Sequence, residues 1–289
     1  MLGQLLFSGL AQGALYALFA LAMTAVFRAT TVVNFGHGDL LMAGAFVVYV
    51  LVVLLHVNFA FSAVVAVAVL FAAGVAIERW FIRPILGGPH LSLAMMAIAV
   101  GYFIRGGATL EWGRDILPFP HVYPDRVFML GPVIATSSDI VVSGSVAALL
   151  LALTALFVFT PLGKTAQAVF QSQKGAALVG INVGAFQGGV WGLGAAMAAI
   201  GGILIAPVTL LYPDMAAFSL LRGFAAMTLG GFGSFPGAVI GALFLGVAEL
   251  MVGFYLGSEY VEITPYVVIL LVLMIRPSGL FGARARVRV

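Results

Sequence analysis

The chain has 289 residues, of which 63% are hydrophobic and only 8% are charged, and its mean hydropathy is +1.19. Since soluble domains carry about 25% charged residues, these values exclude a soluble globular protein and indicate many membrane-spanning helices. The net charge of +3 comes from thirteen Lys and Arg residues scattered between apolar runs, which form no nucleic-acid-binding patch, and the lack of cysteine excludes disulfides and thiolate chemistry.

Apolar runs long enough to cross a bilayer, which takes about 20 residues, recur along the chain. The candidate spans are Leu5–Phe27, Leu40–Leu55, Phe61–Ile82, Leu91–Leu110, Ile140–Thr160, Phe186–Leu211, Ala216–Gly230, Ala238–Leu256 and Ile263–Ile275. The second, seventh and ninth are short, so we predict an all-α polytopic membrane protein with eight or nine crossings, forming a single domain over residues 1–289. Because Met1–Gln4 has no basic residue, the first run is expected to be a retained span, not a cleaved signal.

Basic residues in short connections predict the orientation, because they accumulate in cytoplasmic loops. Alternating crossings place three basic groups on one side: Arg79 with Arg83, Lys164 with Lys174, and the C-terminal Arg276, Arg284, Arg286 and Arg288. The C-terminus is therefore expected in the cytoplasm. Eight crossings would place the N-terminus inside and nine would place it outside, and the sequence leaves both open.

A short polar segment, Asn34–Asp39, separates the first two runs and reads Asn-Phe-Gly-His-Gly-Asp. An amide, an imidazole and a carboxylate are costly near the middle of a bilayer, and two glycines weaken a helix there. Such a break is tolerated only where protein or a water-filled cavity surrounds it. The segment fits either a broken helix beside a passage, with Asn34, His37 and Asp39 as donors and acceptors, or a polar turn at the membrane surface.

Two connections are longer than the rest. Glu111–Ser138 carries four prolines, which predict extended or turn-rich backbone: Pro118, Pro120, Pro124 and Pro132. On the predicted cytoplasmic side, Pro161–Ala185 contains a weakly amphipathic stretch, Thr165–Val179, typical of a helix along the membrane face. Its composition fits a plain connection and a docking helix for a cytoplasmic partner equally well.

Glycines recur every four residues in two places and predict flat helix faces for close packing: Gly180, Gly184, Gly188 and Gly192, then Gly233, Gly237 and Gly241. The second group lies in Phe232–Leu243, where a broken turn leads into an apolar helix, as it does in Phe35–Phe46. Paired short segments interrupted by glycine are typical of regions near transporter binding or gating sites. The similarity is either an internal repeat or a chance match.

Two ionisable residues, Glu249 and Arg222, lie inside apolar runs, where such side chains are functional candidates by default. Arg222 is close to a span end, so we expect it to snorkel to the membrane surface. Catalytic motifs are missing from the sequence. Gly163-Lys164-Thr165 resembles the end of a phosphate-binding loop, but Val158 stands where the first glycine is required, so the chain is not expected to bind ATP by that device.

Four segments together carry a resemblance to a known family: Asn34–Phe46 (NFGHGDLLMAGAF), Lys174–Asn182 (KGAALVGIN), Leu229–Glu249 (LGGFGSFPGAVIGALFLGVAE) and Arg276–Gly282 (RPSGLFG). In that order they resemble the N-F-[AG]-H-G-[DE] signature, the coupling loop and two C-terminal signatures of permease subunits of branched-chain amino-acid ABC importers. The resemblance extends from about Leu5 to Gly282. One departure is Gln173-Lys174-Gly175, which precedes the coupling alanines where acidic or polar residues are usual.

The resemblance implies a transmembrane subunit of a prokaryotic inner-membrane importer that works by alternating access. It implies a second related permease, two ATPase subunits that bind ATP and Mg²⁺, and a periplasmic or extracellular solute-binding protein as partners. No cofactor, metal site or enzyme activity is expected on this chain. Branched-chain amino acids are the implied substrate, with urea, short amides and aromatic acids as alternatives.

The candidate residues fall into two groups. The candidates for the pathway or its gate are Asn34, Phe35, His37, Asp39, Phe232, Ser234 and Glu249. The resemblance assigns ATPase coupling to residues 161–185, at Lys174, Ala176, Ala177, Gly180 and Ile181. An ion-coupled secondary transporter or channel acting alone is the alternative from another class; charged residues inside spans favour it, whereas the coupling loop does not.

Overall fold

The computed structural model describes residues 2–120, 126–130, 133–215, 217–276 and 278–282, and these residues are mostly helical. This part of the chain contains eleven α-helices: α1 (Leu2–Thr30), α2 (His37–Tyr49), α3 (Phe59–Ile77), α4 (His90–Trp112), α5 (Ser137–Phe159), α6 (Pro161–Gln171), α7 (Gln173–Leu178), α8 (Val183–Thr209), α9 (Ala217–Gly230), α10 (Phe235–Tyr255) and α11 (Thr264–Ile275). π-Helical turns extend α2 over Val50–Leu54 and α3 over Glu78–Ile82. The prediction of an all-α membrane fold is confirmed.

Seven of these helices, counted with their extensions, are long and apolar enough to cross a membrane: α1, α2, α3, α4, α5, α8 and α10. They correspond to seven of the nine predicted runs. The other two runs are the shorter helices α9, with 14 residues, and α11, with 12 residues. The described residues therefore hold seven long helices and two short ones where eight or nine crossings were predicted.

The chain divides into two compact units. The first comprises Met1–Thr24, Tyr123–Val146 and Phe218–Val289, and the second comprises Ala25–Val122 and Ala147–Ala217. The single domain expected from the sequence stays a prediction.

In the second unit, α8 packs closely on α2 and α3 at glycine positions. A Cβ placed on Gly44 of α2 would lie 2.5 Å from the Cα of Ala199, and one on Gly202 would collide with the carbonyl of Leu41. Against α3, a Cβ on Gly74 would lie 2.6 Å from the carbonyl oxygen of Trp191. Small residues allow the backbones this approach, and in a membrane such van der Waals packing is a main source of helix association.

The first predicted glycine face is confirmed for three of its four members. Gly184, Gly188 and Gly192 of α8 face α3, its extension and the 3₁₀ turn Arg83–Ile85 that follows, where a Cβ would meet Arg83, Glu78 and Phe71 respectively. Gly180 lies outside the helix, with φ of +85° and no atom within 4 Å of a Cβ placed on it. The packing prediction is therefore wrong for Gly180, which serves the turn before α8 because positive φ favours glycine.

In the first unit, the same kind of contact joins α1 to α10 and α9 to α10. A Cβ on Gly9 or Gly13 of α1 would lie 2.7 Å from a backbone atom of α10, and one on Gly246 would collide with α1. Gly237 and Gly241 of α10 pack on the backbone of α9. Gly233 has φ of +80° and lies in the turn before α10, so the packing prediction is wrong for that residue.

The long proline-containing connection is extended where the structure describes it. After α4 the chain has no regular helix through residue 120, and an antiparallel hairpin of β1 (Val127–Leu130) and β2 (Val133–Thr136) precedes α5. This agrees with the prediction of extended or turn-rich backbone. Pro124 and Pro132 lie outside the described residues, as do Arg284, Arg286 and Arg288 of the basic tail.

Two glycine-to-alanine substitutions should have opposite effects on stability. Gly202→Ala is expected to lower the free energy of unfolding by about 1–3 kcal/mol, because the new methyl group overpacks the α2–α8 contact. Gly106→Ala, in α4 where a Cβ meets no atom within 4 Å, is expected to raise it by about 0.5–1 kcal/mol through helix propensity. Thermal unfolding of the detergent-solubilised protein measures both, and equal effects would contradict the close α2–α8 approach.

Candidate functional site

The predicted break between the first two spans is an extended, largely buried segment. Helix α1 ends at Thr30 and α2 begins at His37, and Asn34, His37 and Asp39 are each less than 5% exposed. The Asn34 side chain satisfies the turn, since its Oδ1 accepts the Gly36 amide at 3.0 Å. The polar side chains of this segment are thus covered by protein, and its role beside a passage stays a prediction.

A charged cluster lies at the first turn of α2. Arg105 of α4 approaches Asp39, with Nε and Nη2 each 2.7 Å from Oδ1. Its Nη1 lies 3.3 Å from Oδ1 of Asp214, which follows α8. The two carboxylates differ in environment, because the Asp39 side chain is 6% exposed and that of Asp214 is 52% exposed. Arg105 thus joins a buried carboxylate to an accessible one.

Two glycines make room for this cluster. A Cβ on Gly36 would lie 2.5 Å from the carbonyl oxygen of Ala97, and one on Gly101 would collide with the Asp39 carboxylate. The start of α2 can therefore lie directly on α4. The same approach lets the Asp39 carboxylate reach Arg105, one turn beyond Gly101 on the same helix face.

A second charged cluster lies in the first unit. Arg222 of α9 donates from Nε to both carboxylate oxygens of Glu249, at 2.8 and 3.1 Å. The hydroxyl of Tyr16 donates to Glu249 Oε2 at 2.6 Å, and Gln12 donates to the same hydroxyl at 2.8 Å. The expectation that Arg222 snorkels to the surface is wrong, because its side chain is only 17% exposed and ion-paired.

Phe232 and Ser234 form the turn between α9 and α10. The Ser234 hydroxyl accepts the Gly237 amide at 3.1 Å and so caps α10. The ring of Phe232 meets that of Phe224 edge to face, with centroids 6.1 Å apart. Both residues belong to the first unit, whereas Asn34, Phe35, His37 and Asp39 belong to the second.

The predicted amphipathic stretch Thr165–Val179 is divided between two helices, α6 and α7, where one helix was predicted. Ser172 breaks the chain between α6 and α7, where its backbone is extended and its hydroxyl accepts the Gly175 amide at 3.0 Å. The tripeptide Gly163–Thr165, which resembles the end of a phosphate-binding loop, lies within α6. Beyond α7, Ile181 donates to the carbonyl of Ala176 and closes the turn at Gly180.

The short helix α7 exposes apolar side chains at its C-terminal end, and its first residue is hydrogen-bonded to α1. Leu178 and Val179 are 88% and 75% exposed, whereas Ala176 is buried. Gln173 donates to the carbonyl of Ala29 at 3.1 Å, and Gln187 of α8 donates to the same oxygen at 3.3 Å. Lys174 and Ala177 are exposed.

Two further aromatic and polar contacts hold the helices around α7. The guanidinium of Arg28 lies 4.5 Å from the ring centroid of Phe170 in α6, a distance suited to a cation–π interaction. Arg83 donates to Glu78 at 3.0 Å and to the carbonyl of Gly184, at the start of α8, at 2.7 Å. The end of α1, α6, α7 and the start of α8 are thus connected by side-chain contacts.

Sequence reasoning missed four residues of these clusters: Arg105, Asp214, Tyr16 and Gln12. The signal for Arg105 was present, since it is a charged residue inside the predicted span Leu91–Leu110. Asp214 and the two polar residues of α1 gave no comparable signal. Among the described residues, no group of three or more His, Asp or Glu side chains is arranged to hold a metal ion.

Comparisons with known proteins agree over nearly the whole chain. Residues 5–275 match the family described as branched-chain amino acid transport system / permease component. The high-affinity branched-chain amino acid transport system permease proteins LivH of Escherichia coli (strain K12) and BraD of Pseudomonas aeruginosa are each 30% identical, over 96% of this chain and 95% of their own lengths. The solved structure of PsaBC from Streptococcus pneumoniae in complex with Fab has a TM-score of 0.51 at 14% identity, over 94% of this chain and 91% of that one, and this likeness concerns the fold alone.

Replacing one member of the Arg222–Glu249 pair should lower the free energy of unfolding more than replacing both. Glu249→Leu or Arg222→Leu leaves one buried charge without its partner and is expected to lower the free energy of unfolding by about 3–5 kcal/mol. The double variant leaves no unpaired charge and should recover most of that loss. Thermal unfolding in detergent measures all three variants, and a double variant no more stable than either single one would contradict the buried ion pair.

Proposed function

The chain belongs to the family of branched-chain amino acid transport system permeases, and we propose that it carries branched-chain amino acids inward as the transmembrane subunit of an ATP-driven ABC importer. The observation that carries the proposal is the family match over residues 5–275 in a chain that also exposes the short helix α7. A carrier acting alone would have no use for such a helix. Seven helices long enough to span support a multi-pass membrane protein.

The partners follow from the division of labour in such importers. We propose a second related permease, two ATPase subunits that bind ATP and Mg²⁺, and an extracytoplasmic solute-binding protein. This chain would supply the passage and hydrolyse nothing, since the family is a permease family. The residues that would hold nucleotide are expected on the ATPase subunits.

Coupling is proposed to occur at α7 and the turn that follows it. Lys174, Ala177 and the apolar pair Leu178 and Val179 face outward and are available to a partner. Exposed apolar patches mark protein or membrane contacts, and the exposed Lys174 on the same helix supports a protein contact here. Gly180 and Ile181 turn the chain back into α8, and Ala176 anchors α7 from its buried face.

The pathway or its gate is proposed to involve the two broken segments. In the second unit, Asn34, His37 and Asp39 are buried polar residues at the start of α2, and Phe35 between them in sequence is half-buried. In the first unit, Phe232 and Ser234 form the corresponding turn, and Glu249 contributes a buried charge. Ionisable groups in spans mark transport paths more often than packing sites, and this supports the assignment.

The side of the membrane follows from the coupling proposal. If α7 contacts cytoplasmic ATPases, the connection between α5 and α8 is cytoplasmic, which agrees with Lys164 and Lys174 in that segment. We propose that the protein resides in a prokaryotic cell membrane with its C-terminus in the cytoplasm.

Reconstitution tests the proposed function. The chain, its partner permease and the ATPases, placed in liposomes with the solute-binding protein, should accumulate labelled leucine only when ATP and Mg²⁺ are supplied to the ATPase side. Gradient-driven leucine uptake by this chain alone would overturn the importer assignment. ATP-driven uptake of urea but not leucine would keep the importer and overturn the substrate.

Removing the apolar surface of α7 should uncouple transport without unfolding the protein. The double variant Leu178→Ser/Val179→Ser is expected to lower ATP-driven leucine uptake at least ten-fold, because both side chains are exposed in the isolated chain and would be buried by an ATPase subunit. Leu110→Ser provides the matched control, since Leu110 is 91% exposed at the far end of α4. Unchanged uptake by the double variant, at unchanged thermal stability, would contradict coupling at α7.

A further inference from the structure

An apolar cavity in the second unit begins one helical turn along α2 and α4 from Asp39 and Arg105, and its lining contains none of the three charged residues of the Asp39–Arg105–Asp214 cluster. Its volume is about 410 Å³, within the range of about 300–1,000 Å³ usual for small-molecule sites. Side chains of α3 form one side, and the remainder comes from α2 and α4, including Met42, Ala43, Phe46, Ile104, Ala108 and Trp112.

Helix periodicity places the charges and the cavity next to each other. Residues three, four and seven positions apart share a helix face. On α2 that relation connects Asp39 to the cavity residues Met42, Ala43 and Phe46. On α4 it connects Arg105 to Ala108 and Trp112. The contact between α2 and α4 is therefore charged at one end and apolar over the next two turns.

The two carboxylates contact Arg105 unequally. Oδ1 of Asp39 lies 2.7 Å from both Nε and Nη2 of Arg105. Asp39 is buried, so this pair is expected to stay intact. Asp214 takes only Nη1, at 3.3 Å, and its side chain is half exposed. An ion pair that is long and open to solvent contributes little to stability, so another carboxylate can replace Asp214 at little cost.

A zwitterionic ligand can bind between Arg105 and Asp214 without leaving a charge unpaired. Its carboxylate would accept from Nη1 of Arg105, for which the planar guanidinium is well suited. Its ammonium group would meet the carboxylate of Asp214 after that residue moves away from Arg105. The ion pair between Arg105 and Asp214 is thereby replaced by two ion pairs with the ligand, and the net charge of the cluster does not change.

We propose that Arg105 and Asp214 bind the carboxylate and the ammonium of an aliphatic amino acid, whose side chain enters the adjoining α2–α4 cavity. The inference rests on the proposed function and adds to it the residues that recognise the substrate. Apolar lining selects a hydrocarbon side chain, and the charge pair requires both ends of the zwitterion.

Direct ligand binding to the purified complex tests the inference. The permease pair with its ATPases, without the solute-binding protein, is titrated with leucine, leucinamide, 4-methylpentanoate and alanine by calorimetry in nanodiscs. Leucine is expected to bind at least ten-fold more tightly than leucinamide, which lacks the carboxylate, and 4-methylpentanoate, which lacks the ammonium.

The variants separate the two ends of the ligand. Arg105→Gln should weaken leucine binding at least ten-fold. Asp214→Asn should weaken leucine binding yet strengthen that of 4-methylpentanoate, because the competing carboxylate is gone and no ammonium needs a partner. Ala108→Phe fills the cavity and should weaken leucine more than alanine. Arg79→Gln removes an exposed arginine of the same unit and should leave leucine binding unchanged.

The possible failures are distinguishable. If the wild-type complex performs ATP-driven leucine uptake but Arg105→Gln and Asp214→Asn bind every probe as the wild type does, the inference is overturned and the proposed function stands. A co-purified phospholipid that Ala108→Phe displaces, detected by mass spectrometry with leucine binding intact, would make the cavity an acyl-chain site and also overturn it. Should Arg105→Gln fail to fold, the opposite responses of Asp214→Asn to leucine and 4-methylpentanoate decide the question, since Asp214 is half exposed.

Discussion

A chain that crosses hydrocarbon has no water to satisfy its backbone, and every interruption of a helix must supply its own hydrogen-bond partners. This constraint shapes the segment between α1 and α2. Asn34 accepts the Gly36 amide through its side chain and the His37 amide through its carbonyl, so the new helix begins with its first donors partly satisfied. The turn before α10 meets the same requirement through Ser234. In both breaks, a short polar side chain accepts a backbone amide that would otherwise need water.

The same requirement governs the charges. Each buried carboxylate of the two clusters has an arginine within 3 Å, and in each case the partner comes from another helix. A glycine makes the first pairing possible, since Gly101 leaves space for Asp39 beside Arg105. Packing and electrostatics are therefore not separable here. A side chain added at such a glycine would remove a charge pair as well as a helix contact.

The helical fold and most of its spans could be predicted from the sequence, because apolar runs and the glycine period are local properties. Pairing could not. Arg222 lies near the end of a run, which suggests snorkelling, and its partner Glu249 lies on another helix, so only tertiary packing brings the two together. Likewise Thr165–Val179 has one amphipathic pattern, yet the extended backbone of Ser172 divides it. Gly180 and Gly233 have the spacing of a packing face but positive φ, which spacing alone does not reveal.

The carbonyl of Ala29 accepts two amides, from Gln173 and Gln187, which use both of its lone pairs. Together with the contact between Arg28 and the ring of Phe170, these bonds connect the last turn of α1 to α6, α7 and the start of α8. Of the residues that follow, Thr31 still donates to the carbonyl of Phe27, whereas residues 32–35 make no i→i−4 backbone hydrogen bond. Rotation about the backbone dihedral angles of residues 32–35 would therefore break no i→i−4 hydrogen bond. Asn34 lies within this stretch, and His37 and Asp39 follow it closely, so these buried polar residues stand where a change of direction between α1 and α2 costs no helical hydrogen bond.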